Sequence, residues 1–287
     1  MSLTNSNRDK YFELHNLNKK SLENAIKLIK EDIKNSYRKE CADDEYIIKS
    51  KFDNKRRKDL INNIRSYNRI LFGLMVSWSD ESIRRLFYER DVFSENQIDY
   101  LLTNKPLEQK WKLALKISFC KAYNLIPSNN ENCSGLSIRN LRSTLTTGLI
   151  DKHEYIKELI INFLIPAFDI RNKVQHGEWI AAFRPPYSKE YDRELTSIIF
   201  KENIVTINAR MIIFNSVYQM IIDLARFRSG DFKIDPSLTP FEYFYNQHIN
   251  KIEDQVNKIR NPELNKYIET LIAKKQRGKK YRKNKCA

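Results

Sequence analysis

Tyr155-Ile156-Lys157-Glu158-Leu159-Ile160-Ile161-Asn162-Phe163-Leu164 and, a few residues on, Ile170-Arg171-Asn172-Lys173-Val174-Gln175-His176-Gly177-Glu178-Trp179 form the stretch whose reading settles the fold class. Apolar residues recur at the three- and four-residue spacing of a helix face turned toward a core. A long apolar helix is expected to begin at Asp151. Pro166 removes one hydrogen bond and crowds the preceding turn, so a kink rather than a stop is expected there. Gly177 supplies the left-handed residue that commonly ends a helix. An arginine, an amide and a histidine therefore fall on the last turns of this helix.

The same period recurs on both sides. Six glycines and eight prolines are few for 287 residues, which argues for helices joined by short connections and a mainly α fold. Leu22, Ala25, Ile26, Ile29 and Ile33 make one apolar stripe on a charged rod. Cys41 to Lys58 reads as a solvated helix or a connector, and Leu60, Ile61, Ile64, Tyr67, Leu71, Leu74 and Met75 resume the period. Gly73 inside that pattern signals either close helix packing or a break. Ser94 and Gln97 make a capping box for a helix through Leu101. Pro106 opens the next helix, which carries Trp111, Ala114, Leu115, Phe119 and Ala122 and ends before Pro127. Ser137 is the expected N-cap of a helix closed by Gly148.

Beyond the central stretch, Trp179 to Phe183 and Leu195 to Phe200, joined around Pro185 and Pro186, suggest a small β-hairpin. Ile204 to Phe227 is another apolar helix. Asn261 and Pro262 read as the start of a final helix running into a basic tail. With no internal repeat and no clear linker, the simplest organisation is one helical domain over residues 1–272 and a flexible basic tail over residues 273–287.

The formal charge is +15. About half comes from Lys274, Lys275, Arg277, Lys279, Lys280, Arg282, Lys283 and Lys285, a run that also holds Tyr281. A polyanion is the natural partner, and RNA backbone is a candidate for this tail. The four cysteines, Cys41, Cys120, Cys133 and Cys286, have no paired spacing, which suggests neither a zinc site nor a disulfide framework and fits a reducing cytoplasm. The residues from Met1 to Lys10 have no apolar core for a signal peptide, and the apolar run Leu159 to Phe168 is too short to span a bilayer. No His/Asp/Glu cluster has metal-ligand spacing, so no metal or cofactor is expected.

An arginine and a histidine near a helix end suit phosphodiester chemistry on RNA. The ribose 2′-hydroxyl is the nucleophile, a histidine of ordinary pKa about 6.5 moves protons near neutrality, and a permanently charged guanidinium stabilises the phosphorane oxygens. Asn172 and His176 are one helical turn apart and share a face, so Asn172 can hold the imidazole or touch phosphate. A competing reading is that Arg171 and His176 merely complement the helix dipole and cap its carbonyls. Glu178 is either a group that polarises His176 or a solvated helix-end carboxylate, and Trp179 either stacks on a base or anchors a core. His15, His153 and His248 are isolated and expected at the surface or its boundary.

The run from Ile170 to Trp179 closely resembles the motif of the HEPN superfamily (higher eukaryotes and prokaryotes nucleotide-binding), in which an arginine followed by a polar residue precedes a histidine by four to six residues. Arg8-Asp9 stands before His15 at an allowed spacing too, yet in a polar N-terminal arm without an apolar lead-in, and is set aside as a decoy. The resemblance covers roughly residues 60–230. It implies an antiparallel helical bundle with extra helices, a homodimer whose site lies where two copies of the motif helix meet, and Arg171, His176 and a supporting Asn172 as catalytic residues. The implied activity is metal-independent endoribonuclease action on tRNA or mRNA, leaving a 2′,3′-cyclic phosphate, in bacterial antiphage defence, abortive infection or toxin-mediated growth arrest. Such an enzyme needs a regulator or antitoxin. Two rival functions are a non-catalytic RNA binder and an interaction module that partners another protein such as a nucleotidyltransferase.

Overall fold

The computed structural model describes residues 5–44, 51–103, 105–126, 131, 133–141, 145–178, 180–183, 190–227 and 238–285. Helices dominate: α1 (Asn5–Asp44), α2 (Lys51–Phe87), α3 (Glu95–Leu102), α4 (Leu107–Ala122), α5 (Thr147–Leu159), α6 (Ile165–Gln175), α7 (Arg193–Lys201), α8 (Ile204–Arg226), α9 (Pro240–Arg260) and α10 (Leu264–Lys285). One antiparallel ribbon, β1 (Ala182–Phe183) paired with β2 (Tyr191–Asp192), follows α6 in the chain. The chain divides into two compact units, one of Met1–Leu22, Val76–Asp169 and Arg210–Val256, the other of Glu23–Met75, Ile170–Ala209 and Asn257–Ala287.

The first unit is built around aromatic side chains. Phe119 lies 4.7 Å from the His153 ring and 5.3 Å from Phe241, and Trp111, Phe87, Phe214 and Phe244 are also buried. His153, expected near the surface, is only 2% exposed. The reason is the start of α5: it begins at Thr147, four residues before the expected Asp151, so Leu149, Ile150, His153 and Ile156 form one buried stripe. Burial pushes the His153 pKa below its ordinary value and favours the neutral ring. Gly148 thus lies in the first turn of α5 rather than closing a helix from Ser137, which precedes a single 3-10 turn, Ile138–Leu141.

Local capping behaves as the sequence suggests at α3, where the Ser94 side chain accepts from the Gln97 N–H and the Gln97 side chain returns a bond to the Ser94 N–H at 3.0 Å. Pro106 is the N-cap of α4, one place before the expected first-turn position, and α4 ends at Ala122. The turn after α2 is closed by long-range donors. Arg8 bonds the carbonyls of Tyr88, Glu89 and Phe93, and the Lys121 ammonium bonds those of Asp91 and Val92. Turn carbonyls are not paired by a helix ladder, and these cations bond them. This anchoring holds the N-terminal part of α1, which reads as a polar arm: exposed Tyr11, Leu14 and Leu17 form no core-facing stripe there.

Pro166 acts on the turn before it. Residues Ile160–Leu164 form a π turn in which the Ile165 N–H reaches back to the Ile160 carbonyl. The kink expected at this proline therefore takes the form of a locally widened helix. Arg210, on α8 and 5% exposed, donates to the Phe163 carbonyl at 3.0 Å and lies over the Phe163 ring. A buried guanidinium thereby covers a backbone acceptor in the irregular turn.

The second unit buries Ile26, Ile33 and Tyr37 of α1, Ile64, Leu71, Phe72 and Met75 of α2, Ile170 and Val174 of α6, and Ile204 and Ile207 of α8. α2 runs unbroken through Gly73, and a Cβ there would meet nothing within 4 Å, so neither a break nor close packing is the reason for this glycine and nothing in the structure explains it. The hairpin also differs from expectation. Its second strand is Tyr191–Asp192, whereas residues 195–200 belong to α7. The Asp192 carboxylate accepts the Leu195 N–H at 2.9 Å and caps that helix, whose Thr196 and Ile199 turn inward. α10 starts at Leu264, with the Tyr267 N–H on the Glu263 carbonyl, two residues after the expected Pro262. It continues to Lys285, so the segment expected to be a flexible tail is helical. Among the described residues, no helix is long and apolar enough to cross a membrane, and Cys120 and Cys133 are free thiols.

Candidate functional site

The C-terminal end of α6 is fixed by backbone geometry. Gly177 has φ +83°, its N–H bonds the Val174 carbonyl at 3.2 Å, and the Glu178 N–H bonds the Lys173 carbonyl at 3.0 Å. These are the two crossing bonds of a Schellman motif. A Cβ at Gly177 would meet nothing within 4 Å, so conformation rather than space requires glycine there. The motif places His176 at the C-cap, where the chain leaves the helix, with its own N–H still held by the Asn172 carbonyl at 3.1 Å.

His176 and Asn172 are exposed and Arg171 is half-buried. The sequence places Arg171 and Asn172 on adjoining faces, yet the arginine side chain swings across, and its Nη1 donates to Asn172 Oδ1 at 3.1 Å. This draws the guanidinium round toward the face that carries His176. The Arg171 Nε is buried and has no hydrogen-bond partner. The His176 ring makes no hydrogen bond or ion pair among the described residues. Among the described residues, the end of α6 thus offers a cation without a carboxylate partner, an amide already bonded to it and an exposed imidazole.

Glu178 does not polarise His176. Its carboxylate pairs with the Lys173 ammonium at 3.2 Å and accepts the Phe183 N–H at 2.7 Å, while Lys173 also bonds the Phe183 carbonyl. The pair therefore staples β1 to the helix end. Ala182 N–H in turn donates to Thr196 Oγ1 at 2.9 Å, which joins β1 to α7. Trp179 lies outside the described residues. So do the side chains of the basic tail beyond Lys274, which is itself exposed.

Sequence reasoning missed a second group of cations in this unit. Arg65 and Arg69, one turn apart on α2, lie 6.0 and 5.3 Å from the ring centre of Phe200 on α7. Burial, and the nearby positive charge of Arg65, lower the Arg69 pKa from its usual value. Arg69 Nε is buried with no partner. The signal available in the sequence was an arginine pair at helical spacing. Phe200 was hidden by its assignment to a strand.

The other arginine and histidine at motif spacing are engaged in holding the fold. Arg8 gives its Nε and Nη2 to three backbone carbonyls at 2.6 to 3.2 Å. His15 Nδ1 lies 2.8 Å from Glu81 Oε2, and its ring stacks on Tyr88 at 5.5 Å. His248 is half-buried, and burial lowers its pKa. No three His, Cys, Asp or Glu side chains among the described residues come together as a metal ion would require. No family model, curated protein or solved structure matched this chain in the three comparisons made with known proteins.

Proposed function

We propose that the chain is a metal-independent endoribonuclease of HEPN type, acting as a homodimer in which two copies of the α6 end face each other. The observation that carries this reading is a half-buried Arg171, bonded to Asn172 with no carboxylate partner among the described residues, together with an exposed His176 at a helix end closed by a Schellman turn. A guanidinium engaged only with a neighbouring amide keeps donors for phosphate. Dipole complementarity alone would not call for the amide contact.

In the proposed reaction a histidine takes the proton of the ribose 2′-hydroxyl as that oxygen bonds to phosphorus. The bond from phosphorus to the 5′-oxygen breaks, and the leaving oxygen takes a proton from the second histidine of the dimer. Arg171 stabilises the oxyanions of the phosphorane, and Asn172 positions Arg171 and contacts phosphate. Twofold symmetry supplies both the acid and the base from one histidine per chain. A role in antiphage defence or toxin-mediated growth arrest, under a regulator or antitoxin, goes with this reading.

The products provide the test. Cut RNA should end in a 2′,3′-cyclic phosphate and a free 5′-hydroxyl, DNA should stay intact, and a chelator should not inhibit. Magnesium-dependent cleavage, or cleavage of RNA blocked at the 2′-hydroxyl, overturns the mechanism. Exchange of excess His176→Ala chains into wild-type dimers should reduce activity beyond dilution. Proportional loss, with exchange verified, overturns the shared site.

A further inference from the structure

Phe183 and Tyr191 are direct cross-strand partners in the β1–β2 ribbon, so their side chains leave the same face. Both are exposed, at 42% and 48%. Phe200, on the helix that follows, is 46% exposed although Thr196, one turn earlier, is buried. Three aromatic rings on one short segment thus stay in solvent, while the aliphatic residues Ala182 and Ile199 beside them are buried. Apolar burial stabilises a fold by about 25 cal/mol per Å². Leaving three rings out of the core forgoes that gain, and each ring presents a face on which another planar group can stack.

Arg65 and Arg69 cover Phe200 from the side of α2. Neither has a carboxylate partner among the described residues, and the two raise each other's electrostatic cost. A cation over an exposed ring recovers only about 0.5–1 kcal/mol. The pair is therefore left in need of an anion that the described residues do not provide. Hydrogen bonds from the α6 end through Glu178, Phe183, Ala182 and Thr196 tie this segment to the helix that carries Arg171 and His176.

Exposed aromatic faces together with arginines that lack a carboxylate partner among the described residues match one ligand class, a nucleic acid strand whose bases are unpaired. Bases inside a duplex offer no free face to a ring, whereas a single strand offers both stacking surfaces and phosphates. We infer that Phe183, Tyr191 and Phe200, with Arg65 and Arg69 behind Phe200, form a stacking platform that selects single-stranded RNA. This rests on the ribonuclease reading for the choice of RNA, and it deepens that reading by naming the substrate class. Phe183, Tyr191 and Phe200 act as binding groups for bases, and the two arginines as phosphate contacts.

The test measures binding alone. The full chain is titrated into a fluorescent 2′-O-methyl oligouridylate, which offers no free 2′-hydroxyl, and into a duplex of equal length, across a salt series. The single strand should bind at least about tenfold tighter than the duplex. Phe200→Leu should weaken it about tenfold, and Phe200→Trp should restore it, because stacking needs a ring and packing needs only volume. Arg65→Gln, a change at an exposed position, should lower the salt slope by about 0.7, the loss of one phosphate contact on a single strand. Thermal melts establish that each variant is folded.

Equal affinity for duplex, or wild-type binding by both Phe200→Leu and Arg65→Gln, overturns the platform. So does saturable binding of polyglutamate with no binding of the oligonucleotide, which would mark an acidic protein as the occupant. Loss of binding in Phe200→Leu, in a protein that cuts no RNA, upholds the platform and removes the ribonuclease reading. Undiminished binding in both Phe200→Leu and Arg65→Gln, together with cleavage, does the reverse.

Discussion

Arg8 with His15 and Arg171 with His176 are the same pattern placed in two environments. At α1 the arginine bonds three carbonyls in the turn between α2 and α3, the following Asp9 is bound in two places by Arg90, and the histidine is held by Glu81 and stacked on Tyr88. At α6 the arginine meets only the amide of the next residue, and the histidine ring meets nothing among the described residues. Six residues separate Arg8 from His15 and four separate Arg171 from His176, both within the pattern, but the hydrogen-bond partners differ. A guanidinium tied to three backbone carbonyls holds a fold together, while one tied only to a neighbouring amide keeps most of its donors for a phosphate. The lesson is that a motif is read by the hydrogen bonds its side chains still have to give.

Exchanging the two arginines for alanine is the strongest way to break that contrast. Arg171→Ala should lower RNA cleavage by about a hundredfold or more, with an unchanged melting temperature. Arg8→Ala should reverse the pattern, costing about 2–3 kcal/mol of stability through several lost charge-assisted bonds while the folded fraction cleaves at the wild-type rate. Denaturant titration and single-turnover cleavage measure the two effects. Equal loss of activity in both variants, with both folded, would abolish the distinction.

Gly177→Ala sharpens the comparison from the backbone side. Nothing obstructs a methyl group there, so the expected cost of about 1–2 kcal/mol comes from the left-handed conformation alone. His176 sits at the adjacent C-cap, so cleavage should fall with stability, and a melt and a rate measured on the same preparation should both respond. A stable variant with full activity would show that the Schellman turn does not position the histidine.

The smallest effect is expected from pH at the α1 site. The hydrogen bond to Arg90 holds the Asp9 carboxyl below the usual carboxylate range. A depressed folded pKa gives stability that is present above the unfolded pKa of about 3.9 and is lost as pH falls through the folded value. Melting temperature should therefore drop more on acidification in the wild type than in Asp9→Asn, with convergence at low pH. Because the pair is exposed, high salt should shrink the difference. Identical curves would remove Asp9 from the anchor.

Local signals in the chain were good guides where the physics was local. Ser94 and Gln97 satisfy each other within one turn, and Gly177 needs only its own φ, so both could be placed without any tertiary knowledge. The apolar stripes of α1 and α2 likewise predicted the buried faces at Ile26, Ile33, Ile64, Leu71 and Met75. Errors arose where distant groups intervene. Arg8 and Asp9 help hold the N-terminal part of α1 through residues some eighty positions away; the Leu195 to Phe200 run is an exception, a helix capped locally by Asp192 that nonetheless reads as a strand.

The sequence by itself determined the helical class of the protein, the end of α6 at Gly177 and the presence of an arginine, an amide and a histidine on its last turns, because backbone preferences and apolar period act over a few residues. Tertiary structure alone decided that Arg8 and His15 are held by residues far along the chain, and that Arg65 and Arg69 meet the ring of Phe200. Each of those outcomes depends on which partner fills a hydrogen bond or covers a ring. Partners far apart in the chain are brought together only by packing.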